Sequence, residues 1–381
     1  MSASISCSEA LAAIRRGERL PTGIVRSLGE EQPEEFFRVI VESLADSFDP
    51  AQAAAYEDLM GAWLPTTLPT RPRIQPKIPE SVETVYVLSR VTLGADIKIT
   101  SVILDAMKKR FPAAAIVLVA NRKSIELYSA DSRVWHIEAE YPRSGPVSQR
   151  IEFAHELRRR LEGNNRIVVD PDSRMTQLGL VPVCEAPDYF HFPSRTASSD
   201  ANLTELTHHW LEELFGECGE AYIAPDPVPM EGDSPRAAVS LGVGENDTKR
   251  VGGDFEAGLI RALGEKFRTI RIDRGIGGEE ARRVTAAAEA SGCMDRIRFW
   301  EGSFAGFASI ISQCDFYAGY DSAGQHAAAA AGVPLISIFA GANSERFRQR
   351  WSPAGPGSIE VINADMLTPN KCVEQFRALL K

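Results

Sequence analysis

The chain has 381 residues, 44% hydrophobic and 25% charged, a globular composition long enough for two or three domains. Its formal net charge of −10 argues against a nucleic-acid partner, because binding a phosphate backbone needs a basic surface. Six scattered cysteines without a Cys-x-x-Cys pair give neither a zinc signature nor a disulfide framework, and the six histidines lack metal spacing. No apolar run reaches membrane-helix length and no signal-peptide pattern opens the chain, so a cytoplasmic protein with no transmembrane segment, metal or cofactor is expected.

Residues 1–80 read as a helical domain and a linker. Ser8–Arg16, Pro33–Leu44 and Pro50–Trp63 carry apolar residues at helical spacing, and Asp49-Pro50 is a helix-start pair. Five prolines between Pro65 and Pro79 mark the linker. From Ser81 the pattern changes to strand Val85–Ser89, helix Ile99–Phe111, strands Ala115–Ala120 and Val134–Ile137, helix Gln149–Leu161, strand Arg166–Asp170 and helix Leu203–Phe215. A proline- and acid-rich break over Ala224–Pro235 separates an 81–224 domain from a 225–381 domain.

The second set runs strand Ala238–Leu241, helix Phe255–Phe267, strand Thr269–Ile272, helix Glu279–Ala290, strand Arg296–Trp300 and helix Phe304–Ser312. Strand Phe316–Tyr320, helix Gln325–Ala331, strands Leu335–Phe339 and Ile359–Ile362, and helix Asn370–Leu380 complete it. Strands alternating with helices predict an α/β protein of two Rossmann-like domains with an added N-terminal helical domain. Ligands are then expected in the crevice at the carboxyl ends of the strands.

Four stretches carry chemistry. Gly94-Ala95-Asp96 after the first strand places Asp96 near a helix start facing the crevice, either as a helix cap or as a functional carboxylate. Lys98 follows, either meeting a phosphate or simply solvated. Ser240–Arg250 is a glycine-containing loop ending in Lys249-Arg250, and a lysine there is a mobile charge suited to phosphate. Arg274–Glu280 is a glycine loop with acids at a helix start, able to accept from ribose hydroxyls or to complement the helix dipole. Asp321-Ser322-Ala323-Gly324, between a strand and an alanine-rich helix holding His326, is either an ordinary βαβ unit or an anion site, where free backbone N–H groups and the helix dipole face one ligand.

Asp-Ser-x-x-x-His, then Ala-Ala-x-x-Gly-Val-Pro and a strand ending Phe339-Ala340-Gly341, resembles the nucleotide-sugar site of glycosyltransferase family 9, the heptosyltransferase-like enzymes of GT-B fold. Asn343, Arg346 and Trp351-Ser352-Pro353 lie where that family carries Asp-Pro-x-Arg-Trp-x-Pro. Asp96, Thr100 and Phe111-Pro112 match its opening motif in order, with Ala95 added between glycine and aspartate.

The resemblance spans about residues 82–381. It implies an inverting, metal-independent transfer of a sugar from a nucleotide-diphosphate donor, ADP-heptose being the family's usual one, to a glycan, lipid-linked, protein or small-molecule acceptor. It further implies Asp96 as general base and Lys249 on the diphosphate, although the family's tryptophan-proline after that lysine is replaced by Val251-Gly252. Glu280, or else Glu279, would hold the ribose, and Asp321, Ser322, Ala323, Gly324 and His326 would complete the donor site. Thr100, Lys98, Asn343 and Arg346 would be further donor or acceptor contacts.

Overall fold

The computed structural model describes residues 5–64, 76–197, 199–243, 247–275, 277–341 and 344–380. Eleven strands are found among them. They are β1 (Thr84–Leu88), β2 (Ala115–Ala120), β3 (Val134–Glu138), β4 (Arg166–Asp170) and β5 (Tyr189–His191), followed by β6 (Arg236–Ser240), β7 (Thr269–Asp273), β8 (Ile297–Trp300), β9 (Phe316–Tyr320), β10 (Leu335–Phe339) and β11 (Ile359–Asn363). They form two wholly parallel sheets, ordered β3-β2-β1-β4-β5 and β11-β10-β9-β6-β7-β8. The near-continuous apolar runs of β2 and β10 are what a parallel strand covered on both faces requires.

In the first sheet the strand order turns back at β1, between β2 and β4. In the second it turns at β6 and β9. These turning points open the crevices in which such sheets hold ligands. The helix after β9, Ala323–Ala330, buries its alanines in one core with Ile97, Ile99 and Val102 of the first half, so the two halves share packing as well as a cleft. A second core lies wholly within the C-terminal half, around Val239, Ile260, Ile272 and Ile338.

The N-terminal helices, between Cys7 and Met60, pack on one another and on Val147 and Ile151. Arg150 lies over the Phe37 ring at 3.3 Å, tying this layer to the first half. No helix among the described residues is long and apolar enough to cross a membrane.

Some boundaries differ from the sequence expectation. The helix expected from Ile99 begins at Leu93, passes through a wide π turn at Asp96–Thr100 and runs on to Arg110. Gly94 had read as a turn; it lies inside the first helical turn instead, where a Cβ would come 3.1 Å from His326 Cδ2 and 3.6 Å from Ala323 Cα. Its missing side chain permits close approach of the two halves rather than a bend. Helices Thr22–Glu31 and Glu345–Trp351 and the three-residue β5 were not expected; each is short or interrupted by charge.

Candidate functional site

Two strand–turn–helix units meet at the centre of the molecule. One runs from β1 through Ser89–Thr92 into the helix at Leu93; the other runs from β9 through Asp321-Ser322 into the helix at Ala323. Between them lies a cavity of about 270 Å³. The second half lines it with Lys249, Asp321, Ser322, Ala323, His326, Phe347 and Trp351. The first half contributes Arg90, Thr92, Gly94, Ala95, Arg174 and Arg195, and the N-terminal helices add Asp46.

The C-terminal wall gathers five of the expected residues, Lys249, Asp321, Ser322, Ala323 and His326. Lys249 Nζ lies 2.8 Å from Asp321 Oδ2, and Gln325 Nε2 donates to Asp321 Oδ1 at 2.6 Å. Asp321 therefore aims the ammonium into the cavity. Ser322 takes the N-cap position, yet its side chain makes no cap bond, and its buried hydroxyl has no partner of normal geometry among the described residues. A helix start whose cap side chain is unused leaves amide and hydroxyl donors for an incoming anion. Gly324 is required because a Cβ there would collide with the Tyr317 hydroxyl. Burial, reinforced by Lys98 and Lys249, holds His326 well below the usual imidazole range, so it faces the cavity neutral.

Glu280 does not line this cavity. It stands at the ends of β6 and β7, where a Cβ on Gly275 would be 3.7 Å from its carboxyl carbon and one on Gly242 2.5 Å from its Oε1. Asn343 lies outside the described residues.

Asp96 corrects an expectation. Its carboxylate does not face the crevice but is fully buried. Oδ1 accepts from Arg90 N and Thr100 Oγ1, both at 2.8 Å, and Oδ2 from Ser89 Oγ at 2.7 Å and Ser124 Oγ at 2.6 Å. A carboxylate offers about four lone-pair sites, and all four are taken. Burial raises its pKa while the hydroxyl and amide donors pull the other way. The residues of this helix start that line the cavity are Gly94 and Ala95. Thr100 is likewise enclosed, as part of the same network.

Two further expected contacts prove to be fastenings between the halves. Lys98, 2% exposed, donates through Nζ to the Ser352 carbonyl at 2.6 Å, and burial pulls it down to about 7. Arg346 donates to the Ala197 carbonyl at 2.8 Å, beside the fully buried Arg350, which reaches the carbonyls of Ala197, Ser199 and Ala201. Each of these cations is spent on backbone carbonyls of the opposite half.

Sequence reasoning missed the basic wall. Arg90, Arg174 and Arg195 each stand within four residues of the carboxyl end of a parallel strand, β1, β4 and β5 respectively. That position was a usable signal, because ligand crevices form there. The turn holding Arg90 is tight: Val91 adopts φ +76, a left-handed value costly for a β-branched residue.

No protein-family model and no curated protein sequence matches the chain. Solved structures do. A glycosyl transferase family 9 protein from Veillonella parvula superposes with a TM-score of 0.57 at 14% identity, over 75% of this chain and 87% of that one. The E. coli heptosyltransferase WaaC with ADP gives 0.56 at 16%, over 78% of this chain and 100% of that one. The chain has the GT-B fold. The E. coli ADP-heptose lps heptosyltransferase II, at TM-score 0.50 and 17% identity over 78% and 98%, shares this GT-B architecture.

Proposed function

We propose that the chain is a GT-B glycosyltransferase that moves a sugar from a nucleotide-diphosphate donor to an acceptor hydroxyl. The observation that carries this reading is the Lys249–Asp321 pair beside the open start of the Ala323–Ala330 helix, in the cleft between two parallel sheets. When a sugar leaves a nucleoside diphosphate, negative charge develops on the phosphate oxygens. A lysine and helix-start donors placed there stabilise that charge where it forms, in a one-step displacement with inversion that needs no metal ion. The bond from the anomeric carbon to the diphosphate breaks as its bond to the acceptor oxygen forms, and the acceptor proton passes to the departing diphosphate or to water.

In this reading residues 225–381 hold the donor, with Glu280 on the ribose, and residues 81–224 receive the acceptor, while residues 1–80 comprise an added helical domain and a proline-rich linker. The likeness to heptosyltransferases, one of them titled as an ADP complex, makes an ADP-linked sugar the first donor to try.

A specific observation favours a second reading. With Ala95 at the cavity and Asp96 enclosed, the expected base is out of reach of a substrate hydroxyl, so a protein that binds a nucleotide sugar without transferring it also fits. Incubation with a panel of nucleotide sugars and candidate acceptors separates the two. Transfer releases one nucleoside diphosphate per glycoside formed, and the anomeric coupling constant of the product reports inversion. Binding without diphosphate release supports the second reading, and a donor recovered with an inverted sugar centre points to an epimerase.

A further inference from the structure

The wall formed by the first half carries more charge than the donor reading uses. Three guanidinium groups line it. Asp172 faces Arg90 and Arg195 from outside the cavity, its Oδ2 3.9 Å from Arg195 Nη1, and the carboxylate that enters the cavity on this side is Asp46, contributed by neither sheet. Asp46 Oδ1 accepts from Arg195 Nε at 3.0 Å while Oδ2 accepts from Arg174 Nη2. A two-oxygen anion therefore already bridges two of the arginines, so their spacing fits such a group. Burial alone would push the Asp46 carboxyl up; Arg174 and Arg195 beside it reverse this and hold it well below the usual carboxylate range.

The third arginine is left incompletely matched. Arg90 is 2% exposed, its Nη1 donates to Ser194 Oγ, and its Nε has no partner among the described residues. The Nε of Arg346 and Arg350 is unpartnered too, so what sets Arg90 apart is its place in the cavity wall with a single side-chain hydrogen bond among the described residues. Arg195 and Arg174 are meanwhile fixed from behind. Arg195 Nη1 donates to the Asp172 carbonyl at 2.6 Å, and Arg174 Nη1 to Glu42 at 3.0 Å.

The segment that delivers Asp46 is a turn wedged between the halves. Two residues on, Phe48 adopts φ +54, a left-handed value unfavourable for an aromatic residue. It is held there by edge contacts to Phe347 and Trp351, each with ring centroids 6.4 Å apart. An acidic side chain on a strained turn thus sits in a basic pocket opposite the donor wall.

We propose that Arg90, Arg174 and Arg195 form a receiving site for an oxyanion of the acceptor, a carboxylate or a phosphate, and that Asp46 occupies this site in the free protein. The proposal rests on the glycosyltransferase reading and names its acceptor class. The acceptor's anionic group takes over the arginines from Asp46 and engages Arg90, which places a neighbouring hydroxyl in the cavity facing Lys249 and Asp321.

The test titrates inorganic phosphate and, separately, acetate into the full chain, first alone and then saturated with ADP, at constant ionic strength. Asp46→Asn removes the competing charge and is expected to tighten binding of one of the two anions about tenfold, and that anion identifies the acceptor group. Adding Arg90→Gln to Asp46→Asn should abolish the gain, with circular dichroism confirming that both variants are folded. Arg90→Gln alone, which leaves Asp46 in place, should weaken the same anion and serves if the Asp46 variant does not fold. An Asp46→Asn protein that binds neither anion more tightly, or a gain that survives Arg90→Gln, would overturn the proposal. Failure of ADP to bind the native chain would count against the donor reading and leave the anion result standing.

Discussion

The two helix starts that face each other across the cleft are built alike and used differently. Each follows a central parallel strand, each has a glycine and an alanine in its first turn, and each has an aspartate beside it. At the start after β1, Asp96 turns inward and is saturated by two serines, a threonine and a backbone amide. At the start after β9, Asp321 lies at the cavity and holds Lys249, and Ser322 has a hydroxyl to spare. An aspartate at a helix start is thus an anchor or a working group according to how many donors surround it. Neighbouring hydroxyls such as Ser89 and Ser124 make the difference.

The comparison breaks most visibly at Asp96. Asp96→Ala strands four donors in the interior and should destabilise the protein by about 3–5 kcal/mol in urea unfolding. A variant as stable as the native chain but inactive would return Asp96 to the role of base. Lys98 sharpens the contrast between fastening and ligand contact. Its folded pKa of about 7 lies below the unfolded value, so the unfolded chain binds more protons between pH 7 and 10 and native stability rises with pH across that window. Lys98→Met lacks this term. Its stability relative to the native chain should be highest below pH 7 and fall by on the order of 1 kcal/mol per pH unit up to 10, read from unfolding midpoints of both proteins.

Smaller effects are expected on the donor wall. Lys249→Ala should cost about 1.5–3 kcal/mol of nucleoside-diphosphate affinity, the worth of a charge-assisted hydrogen bond, with little change in fold. Ser322→Ala should weaken the same ligand only a few-fold. Because that hydroxyl is buried and has no partner of normal geometry among the described residues, the variant should melt close to the native chain, which a thermal scan checks.

The alternation of strands and helices was legible because parallel strands are continuous apolar runs and their connecting helices are amphipathic. The C-terminal wall of the cavity was legible too: Asp321, Ser322 and Lys249 lie in turns at strand ends, a local pattern. The wall from the first half was not. Arg90, Arg174 and Arg195 come from three strand ends spread over more than a hundred residues, and Asp46 from a separate helical layer, so only the tertiary fold brings them together. The fates of Lys98 and Arg346 were hidden for the same reason, since the carbonyls they meet belong to the other half of the molecule.

The central claim is that the cleft between the sheets is a nucleotide-diphosphate site anchored on Lys249. Its most direct test is calorimetric titration of ADP, UDP, GDP and dTDP, without divalent metal, into the native chain, Lys249→Ala and Asp96→Asn. Selective binding of one nucleotide, weakened at least tenfold in Lys249→Ala and retained by folded Asp96→Asn, is the predicted result. Equal affinity in the native and Lys249→Ala proteins, or no binding of any of the four, would contradict the account.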